Sequence, residues 1–180
     1  IRTITLDLDD TLWEIHPVIK RAEQALYDWL SENYPRITEL YQPGDLRDVR
    51  SQVIAEFDDR AHDLTFLRRT VLGRVASAAG YGGGFIDDAF GVFDAVRNDV
   101  ELFPEVVPTL ESLRDRYKLI AVTNGNANLD TIGIAHLFHD VVTATKAGAA
   151  KPARQVFDLA VKVGGASRGQ TLHVGDHPEY

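Results

Sequence analysis

The sequence predicts an α/β fold in which a parallel sheet is interrupted by a long helical insertion, and three observations support this prediction. Residues 1–9 alternate apolar and polar side chains, as a half-buried strand does. From residue 118 onward, short apolar runs alternate with helical segments, which is the pattern of βαβ units in a parallel sheet. Residues 15–100, between these two parts, carry helical periodicity alone.

The middle of the chain is predicted to form four helices, because its apolar side chains recur at helical spacing. Pro35 is expected to end the first helix, and the glycine-rich stretch 80–84 separates the third from the fourth. The four helices are expected to begin near His16, Pro43, Asp63 and Phe85. We therefore expect residues 15–100 to form a helical cap over the end of the sheet, and residues 1–14 and 101–180 to form the catalytic core.

The last part of the chain is predicted to alternate helices with strands. Gly164-Gly165 is expected to end the last helix, since glycine is common just after a helix C-terminus. The expected order is a helix over Pro104–Arg116, the strand Lys118–Thr123, a helix over Leu129–Leu137, the strand Asp140–Thr143, a Gly/Ala-rich loop, a helix through Val156 and Val163, and the strand Thr171–Val174. Right-handed crossovers would make all these strands parallel.

The composition is that of an ordinary globular protein and excludes several classes of function. The chain has 180 residues, a formal net charge of −8 and no cysteine. The negative charge argues against nucleic acid as the main partner, and the lack of cysteine excludes disulfides, thiolate catalysis and zinc–thiolate sites. No apolar run approaches the roughly 18 residues of a membrane span, and no signal region precedes the first strand. We therefore expect a cytoplasmic protein; its oligomeric state is not readable from these residues.

Polar side chains follow each predicted strand. The first strand ends in Asp7-Leu8-Asp9-Asp10-Thr11, the second in Thr123-Asn124-Gly125, and the fourth in Gly175-Asp176, while Lys151 lies in the loop after the third. Open parallel sheets bind their ligands beyond the carboxyl ends of their strands. The sequence therefore predicts one site made of acids, a hydroxyl, backbone N–H groups and a cation.

The carboxylates of this predicted site need compensation. Two carboxylates about 4 Å apart repel each other by roughly 4 kcal/mol at a surface-like dielectric constant, so Asp7, Asp9 and Asp176 cannot all be charged without it. A Mg²⁺ ion supplies that compensation, since it favours carboxylate, carbonyl, water and phosphate oxygens. Protonation of one acid is the other solution, and a protonated acid is what general acid catalysis needs.

Four of these motifs, in this order, resemble those of the haloacid dehalogenase-like hydrolase superfamily, and the resemblance covers nearly the whole chain. The motifs are Asp7-Leu8-Asp9-Asp10-Thr11, Thr123-Asn124-Gly125-Asn126, Lys151-Pro152 and His173-Val174-Gly175-Asp176. The resemblance implies a Rossmann-like three-layer core, and the helical insertion resembles the C1-type cap of that superfamily.

The resemblance also implies a role for each matching residue. Asp7 would attack phosphorus as a covalent nucleophile, and Asp9 would act as general acid and then as general base. Mg²⁺ would be bound by the Asp7 carboxylate, the Asp9 backbone carbonyl and Asp176. Thr123 and the Asn124 backbone would bind phosphate oxygens. Lys151 would neutralise charge near the phosphate and the nucleophile.

The reaction implied is hydrolysis of a small phosphorylated metabolite. The motifs look most like those of bacterial flavin-pathway phosphatases, which act on FMN or the phosphoribitylamino-uracil precursor of riboflavin. Sugar phosphates, nucleotides and phosphoglycolate stay open as substrates. Haloacid dehalogenation, phosphonate cleavage and phosphomutase chemistry are alternatives on the same nucleophile, and a non-catalytic binding module is a third reading. Asp9 favours oxygen leaving groups, because a halide needs no proton.

Four other residues near the motifs carry smaller expectations. Thr11 is expected to hydrogen-bond its own loop, Trp13 to pack rather than to stack on substrate, and His173 to be a satisfied core histidine. The last motif of the superfamily usually has a second acid a few residues after Gly-Asp, and here Glu179 could stand in for it. Since the chain has no methionine and stops at Tyr180, we expect it to be part of a longer protein that includes this acid.

Overall fold

The structure is a computed structural model, and it describes residues 1–178. The chain divides into two compact units. One, the sheet unit, contains residues 1–15 and the chain from residue 100 onward; the other, the helical unit, contains residues 16–99. These limits differ by one residue from those expected from the sequence.

The sheet unit contains a four-stranded parallel sheet, which confirms the predicted fold class. Its strand order is β3-β2-β1-β4, so the first strand of the chain is one of the two central strands. The strands are β1 (Thr3–Leu6), β2 (Lys118–Thr123), β3 (Asp140–Thr143) and β4 (Thr171–Val174). The last three have the bounds that the sequence predicted.

The described residues also contain nine α-helices. They are α1 (Ile15–Asn33), α2 (Pro35–Leu40), α3 (Pro43–Glu56), α4 (Leu64–Ala78), α5 (Ile86–Arg97), α6 (Val106–Arg114), α7 (Leu129–Ile132), α8 (Ala144–Ala147) and α9 (Arg154–Gly164). No helix within residues 1–178 is long and apolar enough to cross a membrane.

Two separate apolar clusters lie on the two faces of the sheet, because successive side chains of a strand point to opposite faces. Ile4 and Leu6 of β1 belong to the cluster that contains Leu110 of α6. The other cluster joins Ile120 and Val122 of β2 to α9 through these side chains: Val142, Val156 and Ala160. The sheet unit therefore has helix, sheet and helix layers, as expected of a Rossmann-like core.

The helical unit has an apolar core of its own, built from α1 to α5. Four of these helices correspond to the four predicted ones. The short helix α2 was not predicted, because Pro35 was expected only to end a helix. Pro35 instead occupies the first turn of α2, where its missing N–H would have no partner within the helix in any case.

Two details of the sheet unit differ from the prediction. The helix expected over 129–137 ends at Ile132, because Gly133 adopts a left-handed conformation with φ of 88°. The loop expected before Lys151 contains the short helix α8. The Thr143 side chain accepts a hydrogen bond from the N–H of Lys146 at the start of α8, and such capping is hard to see in a Gly/Ala-rich sequence.

Gly164, the last residue of α9, lies directly against β1. The Thr3 hydroxyl donates a hydrogen bond of 3.2 Å to the Gly164 carbonyl. A Cβ atom built on Gly164 would lie 2.7 Å from Cγ2 of Thr3, closer than nonbonded carbon atoms approach. The absence of a side chain at Gly164 thus sets how closely α9 packs on the sheet.

We predict that Gly164→Ala lowers the free energy of unfolding by about 1–3 kcal/mol, because the added methyl group forces α9 away from Thr3. Urea unfolding measures this change. Gly91→Ala is the matched control: Gly91 lies within α5 with no heavy atom within 4 Å of its built Cβ, so alanine should be neutral or stabilising. Adding Thr3→Ser removes Cγ2 and should restore part of the loss. Equal unfolding midpoints for the two glycine variants would contradict this packing.

Candidate active site

Asp7 lies at the carboxyl end of β1, in the middle of the sheet. Its backbone N–H donates to the Val174 carbonyl at 2.9 Å, which extends the pairing of β1 with β4. Its Oδ1 accepts a hydrogen bond from the Leu8 N–H at 2.8 Å and lies 2.7 Å from Nζ of Lys151. Among residues 1–178, Oδ2 of Asp7 accepts no hydrogen bond and forms no ion pair, so this oxygen is available to a ligand.

Lys151 is buried together with Asp7. Their side chains are 2% and 11% exposed, respectively, although lysine and aspartate are almost never buried unless paired. The ammonium group and the carboxylate form an ion pair away from bulk water, where their attraction is stronger than at the surface. The pair therefore holds a positive charge against the predicted nucleophile.

Asn124 fixes the backbone of Lys151. Its side-chain Nδ2 donates to the Lys151 carbonyl at 3.1 Å, and its Oδ1 accepts from the Lys151 N–H at 2.6 Å. Asn124 follows β2, and Lys151 follows β3 and α8, so these two bonds join the loops of neighbouring strands. The Lys151–Pro152 peptide bond is cis. The Asn124 side chain thus positions the cation, whereas the sequence pointed only to its backbone as a phosphate ligand.

Thr123 is the last residue of β2 and is 1% exposed. Its hydroxyl oxygen accepts a hydrogen bond from the Gly125 N–H at 2.8 Å, so the hydroxyl hydrogen can be directed to another acceptor. The turn after β2 thereby holds the Thr123 hydroxyl at the carboxyl edge of the sheet, where the sequence placed a phosphate ligand.

Asp9 interacts with Trp13, which the sequence did not suggest. The Trp13 indole Nε1–H donates to Oδ1 of Asp9 at 3.0 Å, and the two residues also form a backbone bridge. Trp13 is fully buried, so it packs rather than stacks on a substrate, as expected. The only sequence signal for this contact was the four-residue spacing between Asp9 and Trp13, and such a spacing predicts a side-chain contact only within a helix.

The loop between Asp9 and Trp13 is held by Asp10. Asp10 has a left-handed backbone with φ of 59°, and its side chain accepts a hydrogen bond from the Ile15 N–H at 2.9 Å. Thr11 hydrogen-bonds its own loop, as predicted, but not through its side chain: Oγ1 is buried and has no hydrogen-bond partner among residues 1–178. Its backbone N–H, not its hydroxyl, bonds the loop, through the carbonyl of Leu8 at 3.1 Å.

Asp176 is exposed and follows Gly175, which lies against the nucleophile. A Cβ atom built on Gly175 would be 3.3 Å from Cβ and 3.9 Å from Oδ2 of Asp7. Asp176 therefore follows a glycine that lies close to Asp7, on the side of Oδ2, the oxygen without a hydrogen bond. Glu179, the candidate second acid, lies outside the described residues.

The donor set fits a hard divalent cation. The Asp7 carboxylate, the Asp9 carbonyl and the Asp176 carboxylate are all oxygen donors, which is the chemistry that Mg²⁺ prefers. Only two of the three are acidic side chains. Within the described chain, no three His, Asp or Glu side chains form a group that could hold a metal ion. A cation bound here would therefore need water or substrate oxygens to complete its coordination, which is usual for Mg²⁺.

Some of the predicted site residues contact each other directly, and others are connected through a neighbouring residue. Asp7 touches Lys151, and Lys151 touches Asn124. Thr123 adjoins Asn124 along the chain, and Asp176 follows the glycine packed on Asp7. The Asp9 carboxylate is turned to Trp13 by its hydrogen bond. The arrangement brings the carboxylate of the predicted nucleophile, a cation and a second acid to one edge of the sheet.

Comparison with known proteins places this site in a family. Residues 1–179 match the family described as haloacid dehalogenase-like hydrolase. The chain is 30% identical to the 5-amino-6-(5-phospho-D-ribitylamino)uracil phosphatase YigB of Escherichia coli K12, over 98% of this chain and 75% of that protein. It is 29% identical to the glyceraldehyde 3-phosphate phosphatase of Methanopyrus kandleri, over 98% of this chain and 76% of that protein.

Solved structures are also similar over nearly the whole chain, and one of them is 38% identical. It is described as a 2-haloacid dehalogenase from Pseudomonas syringae pv. Tomato DC3000, and it superimposes with a TM-score of 0.94 at 38% identity. The match covers 99% of this chain and 79% of that structure. The similar proteins thus include both phosphatases and a dehalogenase.

We predict a large coupling free energy between Asp7 and Lys151 in the stability of the folded protein. In a double-mutant cycle with Asp7→Asn and Lys151→Met, measured by urea unfolding in EDTA, the coupling should be about 1–3 kcal/mol, because each single variant leaves one buried charge unpaired. The exposed pair Lys146–Asp140, at a similar distance of 2.8 Å, is the control and should couple far more weakly. Equal coupling for both pairs would mean that Asp7 and Lys151 are screened by water.

Proposed function

Because this chain belongs to the haloacid dehalogenase-like hydrolase family, and is therefore a hydrolase, we propose that it is a Mg²⁺-dependent phosphatase of a small phosphorylated metabolite. The observation that carries the proposal is the buried ion pair of Asp7 and Lys151 at the carboxyl end of a central strand. A cation beside the nucleophile lets a carboxylate approach a phosphate dianion, which it would otherwise repel.

Asp7 is the nucleophile in this proposal. Its Oδ2 attacks phosphorus, the bond from phosphorus to the ester oxygen breaks, and an aspartyl-phosphate forms. Its Oδ1 keeps the hydrogen bond from the Leu8 N–H and the ion pair with Lys151, so the carboxylate keeps a fixed orientation while the other oxygen reacts. The Thr123 hydroxyl and the Asn124 backbone N–H bind the phosphoryl oxygens and orient them for in-line attack.

Asp9 transfers a proton in each of the two steps of the proposed reaction. In the first step its carboxyl group protonates the leaving alcohol oxygen, and in the second it accepts a proton from the water that attacks phosphorus. That water releases inorganic phosphate and restores the Asp7 carboxylate. The Trp13 indole N–H bond fixes one Asp9 oxygen, which orients the carboxyl group for both transfers.

Mg²⁺, when bound, would neutralise negative charge on the phosphoryl group. The Asp7 carboxylate, the Asp9 carbonyl and the Asp176 carboxylate are the residues that would hold it. Their oxygen chemistry supports this cation rather than a softer metal.

The substrate we propose is a phosphorylated polyol or sugar derivative. Two curated relatives are named as phosphatases of 5-amino-6-(5-phospho-D-ribitylamino)uracil and of glyceraldehyde 3-phosphate, both small phosphate monoesters. The first is the more similar, so the ribitylamino-uracil phosphate is the first candidate and FMN the second. A metabolite panel that includes both, ranked by kcat/KM, tests this; a flat and weak profile would contradict the flavin-pathway assignment.

Haloacid dehalogenation is the second candidate function, because the similar Pseudomonas syringae structure is described as a dehalogenase. The same Asp7 oxygen would attack carbon and release a halide, which needs no proton. Asp9 and its Trp13 hydrogen bond would have no task in that reaction, which is why we favour ester hydrolysis. Halide release from 2-chloropropionate, assayed beside phosphate release from the panel, decides between the two.

We predict that Asp7→Asn lowers kcat/KM for p-nitrophenyl phosphate by at least about 10³-fold, because the amide cannot form the covalent intermediate. EDTA should abolish activity and excess Mg²⁺ should restore it. Asp115→Asn, at an exposed position, is the control and should behave as wild type. Activity that survives Asp7→Asn, or is unaffected by EDTA, would disprove this mechanism.

We also predict that the effect of Asp9→Asn depends on the leaving group. An alkyl phosphate needs protonation of its leaving oxygen, so the variant should lose about 10²-fold or more in kcat for it. p-Nitrophenolate leaves without a proton, and the loss in its first step should be at least about 10-fold smaller, as read from the single-turnover burst of p-nitrophenol. Equal losses for both esters would remove Asp9 from the role of general acid.

A further inference from the structure

His173 forms a side-chain link between β4 and β1. Its Nδ1 lies 2.8 Å from the Thr5 hydroxyl oxygen, and Thr5 and His173 are direct partners in the register of the two strands. The Thr5 hydroxyl also donates to the Leu172 carbonyl at 3.3 Å. Thr5 is 2% exposed, so both contacts lie inside the sheet unit. The side chain of Thr5 therefore holds β4 at two points.

β4 leads directly into the last predicted motif. It has four residues, pairs with β1 within the described residues, and ends two residues before the predicted metal ligand Asp176. The two contacts of Thr5 therefore lie within four residues of Asp176 along the chain.

The imidazole ring also packs against α9. Phe157 of α9 meets the ring edge-on, with centroids 5.3 Å apart and planes at 83°. The other ring nitrogen, Nε2, is buried and has no hydrogen-bond partner among residues 1–178. Within the described residues, only one ring nitrogen of His173 therefore has a hydrogen-bond partner, whereas the sequence suggested a core histidine with all its hydrogen bonds made.

The unbonded side of the ring faces the chain just before Asp176. A Cβ atom built on Gly175 would lie 3.3 Å from Nε2 of His173 and 3.3 Å from Cβ of Asp7. The space that a side chain at position 175 would occupy, between the imidazole and Asp7, is thus a narrow gap. Movement of the ring would change this gap, and with it the position of the next residue.

The surroundings of His173 favour the neutral ring. Burial lowers the pKa of His173 below its usual value, and the positive charge of Lys151 lowers it further, while the charge of Asp7 and a backbone hydrogen bond with Thr5 oppose this. A neutral ring adds no second positive charge beside the Asp7–Lys151 pair. Its contribution to the site is therefore geometric.

We propose that His173 and Thr5 form a positioning pair that sets the Gly175–Asp176 segment against Asp7, and so controls the affinity of the site for Mg²⁺. Neither residue touches substrate or the reacting atoms in this proposal. It rests on the proposed function, since it assigns Asp176 as a metal ligand. Residues that orient metal ligands from behind typically change metal affinity by 10–100-fold when they are replaced.

Three substitutions separate the hydrogen bond from the volume of the ring. His173→Phe keeps the ring contact with Phe157 but removes Nδ1, and Thr5→Val keeps the shape of the side chain but removes the hydroxyl. His173→Asn places an amide group near the position of Nδ1 and can restore the bond to Thr5. Thr3→Val, on the same strand, is the control: it loses a similar hydroxyl bond, to Gly164, that has no contact with β4.

We expect His173→Phe and Thr5→Val each to raise the Mg²⁺ dissociation constant about 10-fold, as measured by calorimetric titration without substrate. Their double variant should be no weaker than either single one, because both remove the same bond. His173→Asn and Thr3→Val should stay within about 3-fold of wild type. In phosphatase assays at saturating Mg²⁺, KM for substrate should be unchanged in all four.

The proposal is overturned if Thr5→Val binds Mg²⁺ as tightly as wild type, or if Thr3→Val weakens binding equally. It is also overturned if His173→Asn binds as weakly as His173→Phe. Thermal unfolding confirms that each variant is folded, and Thr5→Val alone decides the outcome if the histidine variants do not fold. The proposed function is judged separately, by whether the wild-type protein hydrolyses any phosphate ester.

Discussion

The rest of the site depends on one interaction, the ion pair between Asp7 and Lys151 beneath the surface of the sheet unit. Neither charge is stable there alone, because burial of an unpaired carboxylate or ammonium group costs several kcal/mol. Each partner is therefore held by a rigid element. Asp7 continues a strand paired on both sides, and Lys151 is tied by two hydrogen bonds to Asn124 on the neighbouring loop. The geometry that stabilises the ion pair therefore also leaves Oδ2 of Asp7 outside it.

Much of the sheet unit could be predicted, because its information is local. The strand Lys118–Thr123 is an apolar run that ends in polar residues, and such a run reads as a buried parallel strand without further context. Asp7 and Lys151 could be predicted because parallel strands collect their carboxyl ends at one edge. The hydrogen bonds of Trp13 with Asp9 and of Thr5 with His173 could not, since they depend on a loop conformation and on strand register.

The choice between phosphate and halide chemistry turns on Asp9 rather than on Asp7. Both reactions are proposed on the same fold, so a TM-score of 0.94 to a structure described as a dehalogenase supports the fold and does not choose between them. A second acid with a fixed orientation is useful only where a leaving group must be protonated. In this chain that acid is bonded to a fully buried tryptophan, which favours the ester.

The strand order has a consequence for how the protein is made on the ribosome. β1 is synthesised first, but its two neighbours begin at residues 118 and 171. At about 5–20 residues per second, the nucleophile strand waits on the order of 10 s for its first partner. During that time residues 16–99, which have a core of their own, can already fold. The nascent chain therefore has an unpaired apolar strand on the N-terminal side of a folded helical unit. A chaperone would bind the nascent chain at this strand.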